Sequence, residues 1–143
     1  MKNKNIYLDT NIVADIIDTS RSNHKESLYI LEYLAIHDYK IFISEDMLTT
    51  LYYILKDKKQ TLEFLKNLVF IDWEISKFGK NVIKDAIDLS LEKDLDLEDV
   101  LQCLCAKENQ CSIVITNDKN FYDCDIDILE SKEFIKKIEK ETK

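Results

Sequence analysis

Three aspartates stand where an open α/β sheet would place chemistry. Asp9 directly follows the apolar triplet Ile6-Tyr7-Leu8. Asp118 follows Ser112-Ile113-Val114-Ile115 after Thr116 and Asn117. Asp99 falls in the first turn of a helical segment, in Asp96-Leu97-Glu98-Asp99. In such sheets ligands bind beyond the carboxyl ends of the strands, where the strand order reverses. Adjacent strands lie about 4.8 Å apart, so neighbouring first and fourth strands would let Asp9 and Asp118 share a cation. Close carboxylates repel one another, and a bound cation is the usual remedy. A ligand set made only of oxygen selects Mg²⁺ or Mn²⁺ over zinc. Each acid alone also has a structural explanation: Asp9 as a helix cap, Asp99 as a complement to a helix dipole, Asp118 as a turn residue. Their convergence on one rim is what the structural explanation leaves out.

The elements that must position them are short β-branched runs alternating with helical patterns. Ile6–Leu8, Ile41–Ile43, Val69–Ile71 and Ser112–Ile115 read as strands one to four, and Ile126–Ile128, alternating in polarity, as an edge strand. Helical segments are expected at about 11–18, 23–37, 45–56, 59–67, 76–92, 97–109 and 131–141. This β–α order implies a parallel sheet with helices on both faces. Leu97, Val100, Leu101 and Leu104 form one apolar face of the Asp99 helix, and Asp99, Cys103 and Ala106 share the opposite one. A helix apolar on both sides is buried between layers, and the small residues at 103 and 106 permit close approach.

The chain has 143 residues, 45% of them hydrophobic, with no proline and a single glycine, Gly79. This is the length of one domain, 1–143, built from long helices with short connections. No internal repeat or linker is visible. The three-residue run Ile6–Leu8 is too short for a signal core, and no later run reaches spanning length, so a cytoplasmic protein without membrane contact is expected. In that compartment Cys103, Cys105, Cys111 and Cys124 are expected to be reduced core residues rather than disulfides. Cys103 and Cys105, two apart on a helix, cannot share a zinc. His24 and His37 are expected at the surface. The formal charge of −8 argues against tight non-specific coating of nucleic acid, but not against an enzyme whose acids hold cations. An acidic body also suits a basic protein partner.

The strings Leu8-Asp9-Thr10-Asn11, Leu97-Glu98-Asp99-Val100-Leu101-Gln102 and Ile115-Thr116-Asn117-Asp118-Lys119-Asn120-Phe121 together resemble the PIN-domain family, in order and spacing, over nearly the whole chain. The resemblance is to toxin ribonucleases of the VapC type. It implies a three-layer α/β/α fold with a parallel sheet of about five strands ordered 3-2-1-4-5. It makes Asp9, Asp99 and Asp118 metal-binding catalytic acids, Thr116 and Asn11 the polar residues that orient them, and Glu98 an acidic neighbour. Family members place another acid on the helix after strand two. Here that position is Thr50, and Asp46, one turn earlier on the same face, is the available substitute; Glu45 and Asp46 also suit a helix N-terminus after Ser44.

The activity so implied is Mg²⁺- or Mn²⁺-dependent hydrolysis of RNA, with a small antitoxin protein as partner and a homodimer as assembly. The alternative is a PIN-fold binding module with little or no activity, motivated by Thr50 and the acidic surface. An aspartyl-phosphate phosphatase ranks below both, because the second acid that such a loop requires is Asn11 here. Lys56, Lys58 and Lys59 read as a solvated surface. Tyr52 and Tyr53 suit packing at least as well as base stacking, and Trp73, after strand three, is structural.

Overall fold

The strand β1 (Asn5–Leu8) is the middle of the sheet in the computed structural model, which describes residues 3–141. Ile6, Tyr7 and Leu8 have no exposed surface. A strand covered on both faces must be apolar at consecutive positions rather than alternate ones. It pairs in parallel with β2 (Lys40–Ser44) on one side and β4 (Ile113–Ile115) on the other. The edges are β3 (Glu74–Ser76) beside β2 and β5 (Asp127–Leu129) beside β4. The order is therefore 3-2-1-4-5, as the resemblance implies, and it reverses between β1 and β4. Leu8 lies opposite Ile115, so the residues just beyond these two strands meet at the switch point.

Helices surround the sheet in the expected three-layer α/β/α arrangement. The connection after β1 holds α1 (Thr10–Ile17) and α2 (His24–Ile36), which pack on each other, and α2 also packs on the C-terminal helix α8 (Ser131–Glu141). After β2 come α3 (Glu45–Ile54) and α4 (Lys58–Phe64), and after β3 the antiparallel pair α6 (Gly79–Lys93) and α7 (Leu97–Glu108). Gly79, at φ 80°, supplies the left-handed turn into α6. Elsewhere polar residues take that conformation: Asp38, Asp94 and Gln110 end α2, α6 and α7 with positive φ, which keeps the connections short in a chain almost without glycine.

Two expectations are corrected. Val69–Ile71 is not the third strand. From Lys58 to Asp72 the backbone stays helical through α4, a π turn (Leu65–Val69) and the short α5 (Phe70–Asp72). A three-residue apolar run carries no period of its own. The period that decides is four: Thr61, Val69 and Trp73 are buried while Phe70 and Ile71 are exposed. The strand comes next, so Trp73 precedes β3 rather than follows it, although its structural role stands: it is buried and meets Phe64 edge-on at 6.0 Å.

The second correction is a disulfide, Cys103–Cys124, with the Cα atoms 6.1 Å apart. The return from β4 to β5 runs over α7 and brings Cys124 onto Cys103, a proximity that cysteine count and compartment do not reveal. Cys105 and Cys111 are free and buried, as expected. His37 is exposed, but His24 is half-buried, its Nδ1 2.8 Å from the Asp15 carbonyl.

Candidate active site

Asp9 closes β1 and opens α1. Its backbone N–H donates to the Ile115 carbonyl (3.0 Å), and its own carbonyl accepts the N–H groups of Ile12 and Val13. Both carboxylate oxygens are held: Oδ1 accepts the Thr10 N–H at 2.9 Å and Oδ2 the Thr116 hydroxyl at 2.7 Å. Thr116, fully buried beyond β4, also accepts the Asp118 N–H at 3.1 Å. One hydroxyl thus ties the β1 carboxylate to the loop after β4. Asp118 Oδ1 accepts the Asn120 N–H at 2.9 Å, an Asx turn that fixes the loop's direction. Asp99 comes from the third element. Asp96 caps α7 by accepting the Asp99 N–H at 3.1 Å, which sets the first turn of that helix at the rim. Farther back, the Tyr7 hydroxyl donates to the Gln102 side-chain oxygen, joining α7 to β1 directly beneath the acids.

The side chains of Asp9, Asn11, Glu98, Asp99 and Asp118 line one cleft of ≈ 330 Å³, together with Asp96, Thr10, Thr50 and Ile54. The field inside it is strongly negative. Burial, then the carboxylates of Asp118, Asp96 and Asp9, push the Asp99 carboxyl up to about 7. Burial also raises Asp9; the Thr116 and Thr10 hydrogen bonds oppose this and Asp118 adds to it. Glu98 is raised by burial first and then by Asp46, Asp9 and Asp96.

The expected residues therefore divide. Asp9, Asp99, Asp118, Asn11 and Glu98 share the cleft, and Thr116 holds Asp9 from behind. Thr50, not Asp46, faces into it. Asp46 is exposed in the first turn of α3, where its carbonyl accepts the Thr50 hydroxyl at 3.4 Å and its charge is felt by Glu98. Asn11 makes its hydrogen bond not with an acid but with Arg21, whose Nη2 donates to its Oδ1 at 3.5 Å. Lys58 is half-buried and tied down rather than freely solvated: its Nζ donates to the carbonyls of Tyr52, Tyr53 and Leu55 at the end of α3. Sequence reasoning missed Arg21, although a chain with one arginine among 20 basic residues carries that signal.

A parallel sheet ordered 3-2-1-4-5, with acids from β1, α7 and the loop after β4 meeting at its switch point, defines a class. The sequence model of the PIN domain matches residues 6–127, and the chain belongs to the PIN-domain family. Within it, the chain is 40% identical over 139 residues to Ribonuclease VapC1 of Aquifex aeolicus (strain VF5), a match spanning 94% of this chain and 95% of that one. Similar solved structures include VapBC2 from Rickettsia felis bound to a DNA fragment from their promoter (TM-score 0.65, 23% identity, 88% of this chain and 98% of that chain). Another is a toxin–antitoxin complex from Klebsiella pneumoniae (TM-score 0.66, 20% identity, 88% and 97%). At those identities the likeness is one of fold.

Proposed function

We propose that this chain is a divalent-metal-dependent ribonuclease and the toxin of a toxin–antitoxin pair, acting in the cytoplasm. The observation that carries the reading is the convergence of Asp9, Asp99 and Asp118 on one cleft, with Asp99 raised to about 7 by burial and its acidic neighbours. Three acids this close are poorly arranged for a metal-free protein and well suited to a cation.

The donor set fits Mg²⁺ or Mn²⁺. It is all oxygen, although among the described residues no three His, Cys, Asp or Glu side chains, these acids included, are grouped closely enough to hold an ion as they stand. Carboxylate oxygens suit Mg²⁺ or Mn²⁺, and Mg²⁺ is commonly bound through one or two carboxylates with several waters. Asp99 and Asp118 would hold the ion, with Asp9 as the third acid and Asp46 the more distant contributor. When bound, it supplies Lewis-acid activation of water and charge neutralisation at the phosphate. The chain's own share is placement: Thr116 and Thr10 fix Asp9, Asp96 fixes the turn bearing Asp99, and the Asx turn fixes Asp118. Asn11 stands at the rim as a donor toward the substrate.

The test is cleavage of RNA by the purified protein with Mg²⁺ or Mn²⁺. Asp9→Asn, which keeps the shape and removes the charge, is expected to lower the rate at least 10²-fold. Cleavage undiminished in that variant would remove the mechanism.

Thr50 in the cleft, where relatives of this class carry an acid, favours a second reading: a PIN-fold binding module with little activity. Titration calorimetry with Mn²⁺ separates the two. Binding that is lost in Asp99→Asn supports the enzyme; no binding at millimolar Mn²⁺ supports the module.

Two partners go with the leading reading. A small antitoxin with a basic residue matches the acidic cleft and the charge of −8. A second copy of the chain matches the exposed apolar stripe that Ile83, Ile87 and Leu91 form on α6. No helix among the described residues is long and apolar enough to cross a membrane; the cytoplasm belongs to this reading because an RNA substrate would be met there.

A further inference from the structure

Beside the acid cleft lies a second one of ≈ 400 Å³, lined by Asn11, Asp15, Arg21, Ser22, Asn23 and Asn117. The two share Asn11, and Asn117 adjoins Asp118 in the chain. Their chemistry is opposite. Arg21 is held by Asp15, itself 5% exposed, through a 2.8 Å bond from Nε to Oδ1, and its Nη2 reaches Asn11 Oδ1 at 3.5 Å. A guanidinium has five N–H donors; the rest of this fork is uncommitted among the described residues.

The two flanking amides have their orientation dictated by their partners. Arginine only donates, so Asn11 must present its oxygen to Arg21 and is left with its NH₂ group. A backbone N–H only donates, so Asn117 must present Oδ1 to the Ser131 N–H (2.9 Å), while the single Ser131 hydroxyl proton goes to Glu26 at 2.8 Å. Its NH₂ is left over in the same way. Asn23 precedes the 13-residue helix α2 and makes no side-chain cap; the His24 N–H is taken by the Arg21 carbonyl at 3.1 Å, so the next N–H groups of α2 and the Asn23 amide add to the donors. Asp15, the one acid lining the cleft among the described residues, is paired with Arg21 through Oδ1, and Glu26, in the first turn of α2, accepts the Ser131 hydroxyl at 2.8 Å. What remains is a concave surface with the Arg21 fork and the Asn11 and Asn117 amide groups as its donors.

We propose that this cleft is an anion subsite that holds a neighbouring phosphate of the RNA backbone and so feeds the strand into the acid cleft. The inference rests on the ribonuclease reading and adds the substrate contact that reading lacks. An acidic protein repels a polyanion, and backbone phosphates are gripped by arginine forks, amides and helix N-termini rather than by acids. The acceptors here, the Ser22 hydroxyl and the Asn23 side-chain oxygen, are neutral, so the one cation, Arg21, makes a phosphate the better-matched group than a base edge. Register along the strand is thus set by the flank, and the acids meet the next phosphate.

The experiment measures binding of a fluorescein-labelled single-stranded RNA to the full chain by anisotropy, with Ca²⁺ in place of Mg²⁺ and across a salt series. Cleavage is followed in parallel with Mg²⁺ and Mn²⁺. Arg21→Gln is expected to weaken binding about ten-fold and to reduce the slope of log Kd against log salt by about 0.7–1. Arg21→Lys, which restores the charge without the fork, is expected to fall between. Because Arg21 also stabilises Asp15, the deciding variant is Asn23→Asp. The Asn23 side chain makes no cap hydrogen bond, so aspartate there loses none and the melting temperature should not fall, yet a negative charge in the subsite should weaken RNA binding several-fold. If wild type binds and neither Kd nor salt slope moves in Arg21→Gln or Asn23→Asp, the subsite is refuted and the ribonuclease reading stands. If wild type binds with those responses but never cleaves, the subsite stands and the ribonuclease reading falls. No RNA binding by wild type overturns both.

Discussion

Asp99 is the residue whose environment matters most, and its ionisation makes stability depend on pH. Its carboxyl is raised from 3.8 to about 7, by burial first and then by Asp118, Asp96 and Asp9. The folded state therefore binds more protons than the unfolded chain between those two values, and stability falls as pH rises through that window. Below 3.8 the charge is absent in both states; above about 7 the full cost is present. Asp99 is half-exposed, so solvent screening limits that cost to about 1 kcal/mol or less. Asp99→Asn, measured by thermal melting in EDTA, should be more stable than wild type at pH 8, and the gap should shrink toward pH 4. An asparagine variant no more stable at pH 8 would show that the acids are not crowded as described. The three acids were legible in the sequence because each sits at an element boundary where an open sheet puts ligands. The Arg21 cluster was not, because its geometry depends on how the connection from α1 to α2 turns back on Asn11.

At the scale of elements, the site depends on two ties that hold α7 in place. Tyr7–Gln102 joins it to β1, and Cys103–Cys124 joins it to the connection between β4 and β5. Cys103 lies one turn beyond Asp99, and Cys124 lies six residues beyond Asp118, so the covalent tie links the elements bearing two of the three acids. A bridge closing a 21-residue separation restricts the unfolded chain by about 3 kcal/mol in the loop-entropy account. Thermal melts with and without dithiothreitol should differ in that sense, and Cys103→Ser should reproduce the reduced protein and be insensitive to reductant. A reductant-independent melting temperature in wild type would mean that the bridge contributes nothing. Helices were the most legible elements, since periods of three and four persist over 10–15 residues. The strand at Glu74–Ser76 was invisible: it is three residues long at a sheet edge, with one apolar residue, while the stronger apolar run just before it belongs to a helix.

At the scale of the whole molecule, the topology followed from the order of elements, because parallel strands with helical crossovers admit few arrangements. The surface was less legible. Ile83, Ile87 and Leu91 are 42%, 43% and 81% exposed and lie at intervals of four, so they form one stripe along the outer side of α6. The sequence shows the spacing, but the same spacing would describe a core-facing stripe, and only the fold reveals that Val82 and Ala86 take the buried side instead. Large apolar side chains aligned on a helix that has already buried another face mark a surface for association. A closed pair of α6 helices related by a twofold axis would cover both stripes at once. Analytical ultracentrifugation at micromolar concentration should then give twice the chain mass for wild type. Leu91→Lys, placing like charges opposite each other across the axis, should give the single chain mass with the circular dichroism spectrum unchanged. A wild-type protein that sediments as a monomer at 100 µM would leave the stripe to a different partner and rule out the homodimer.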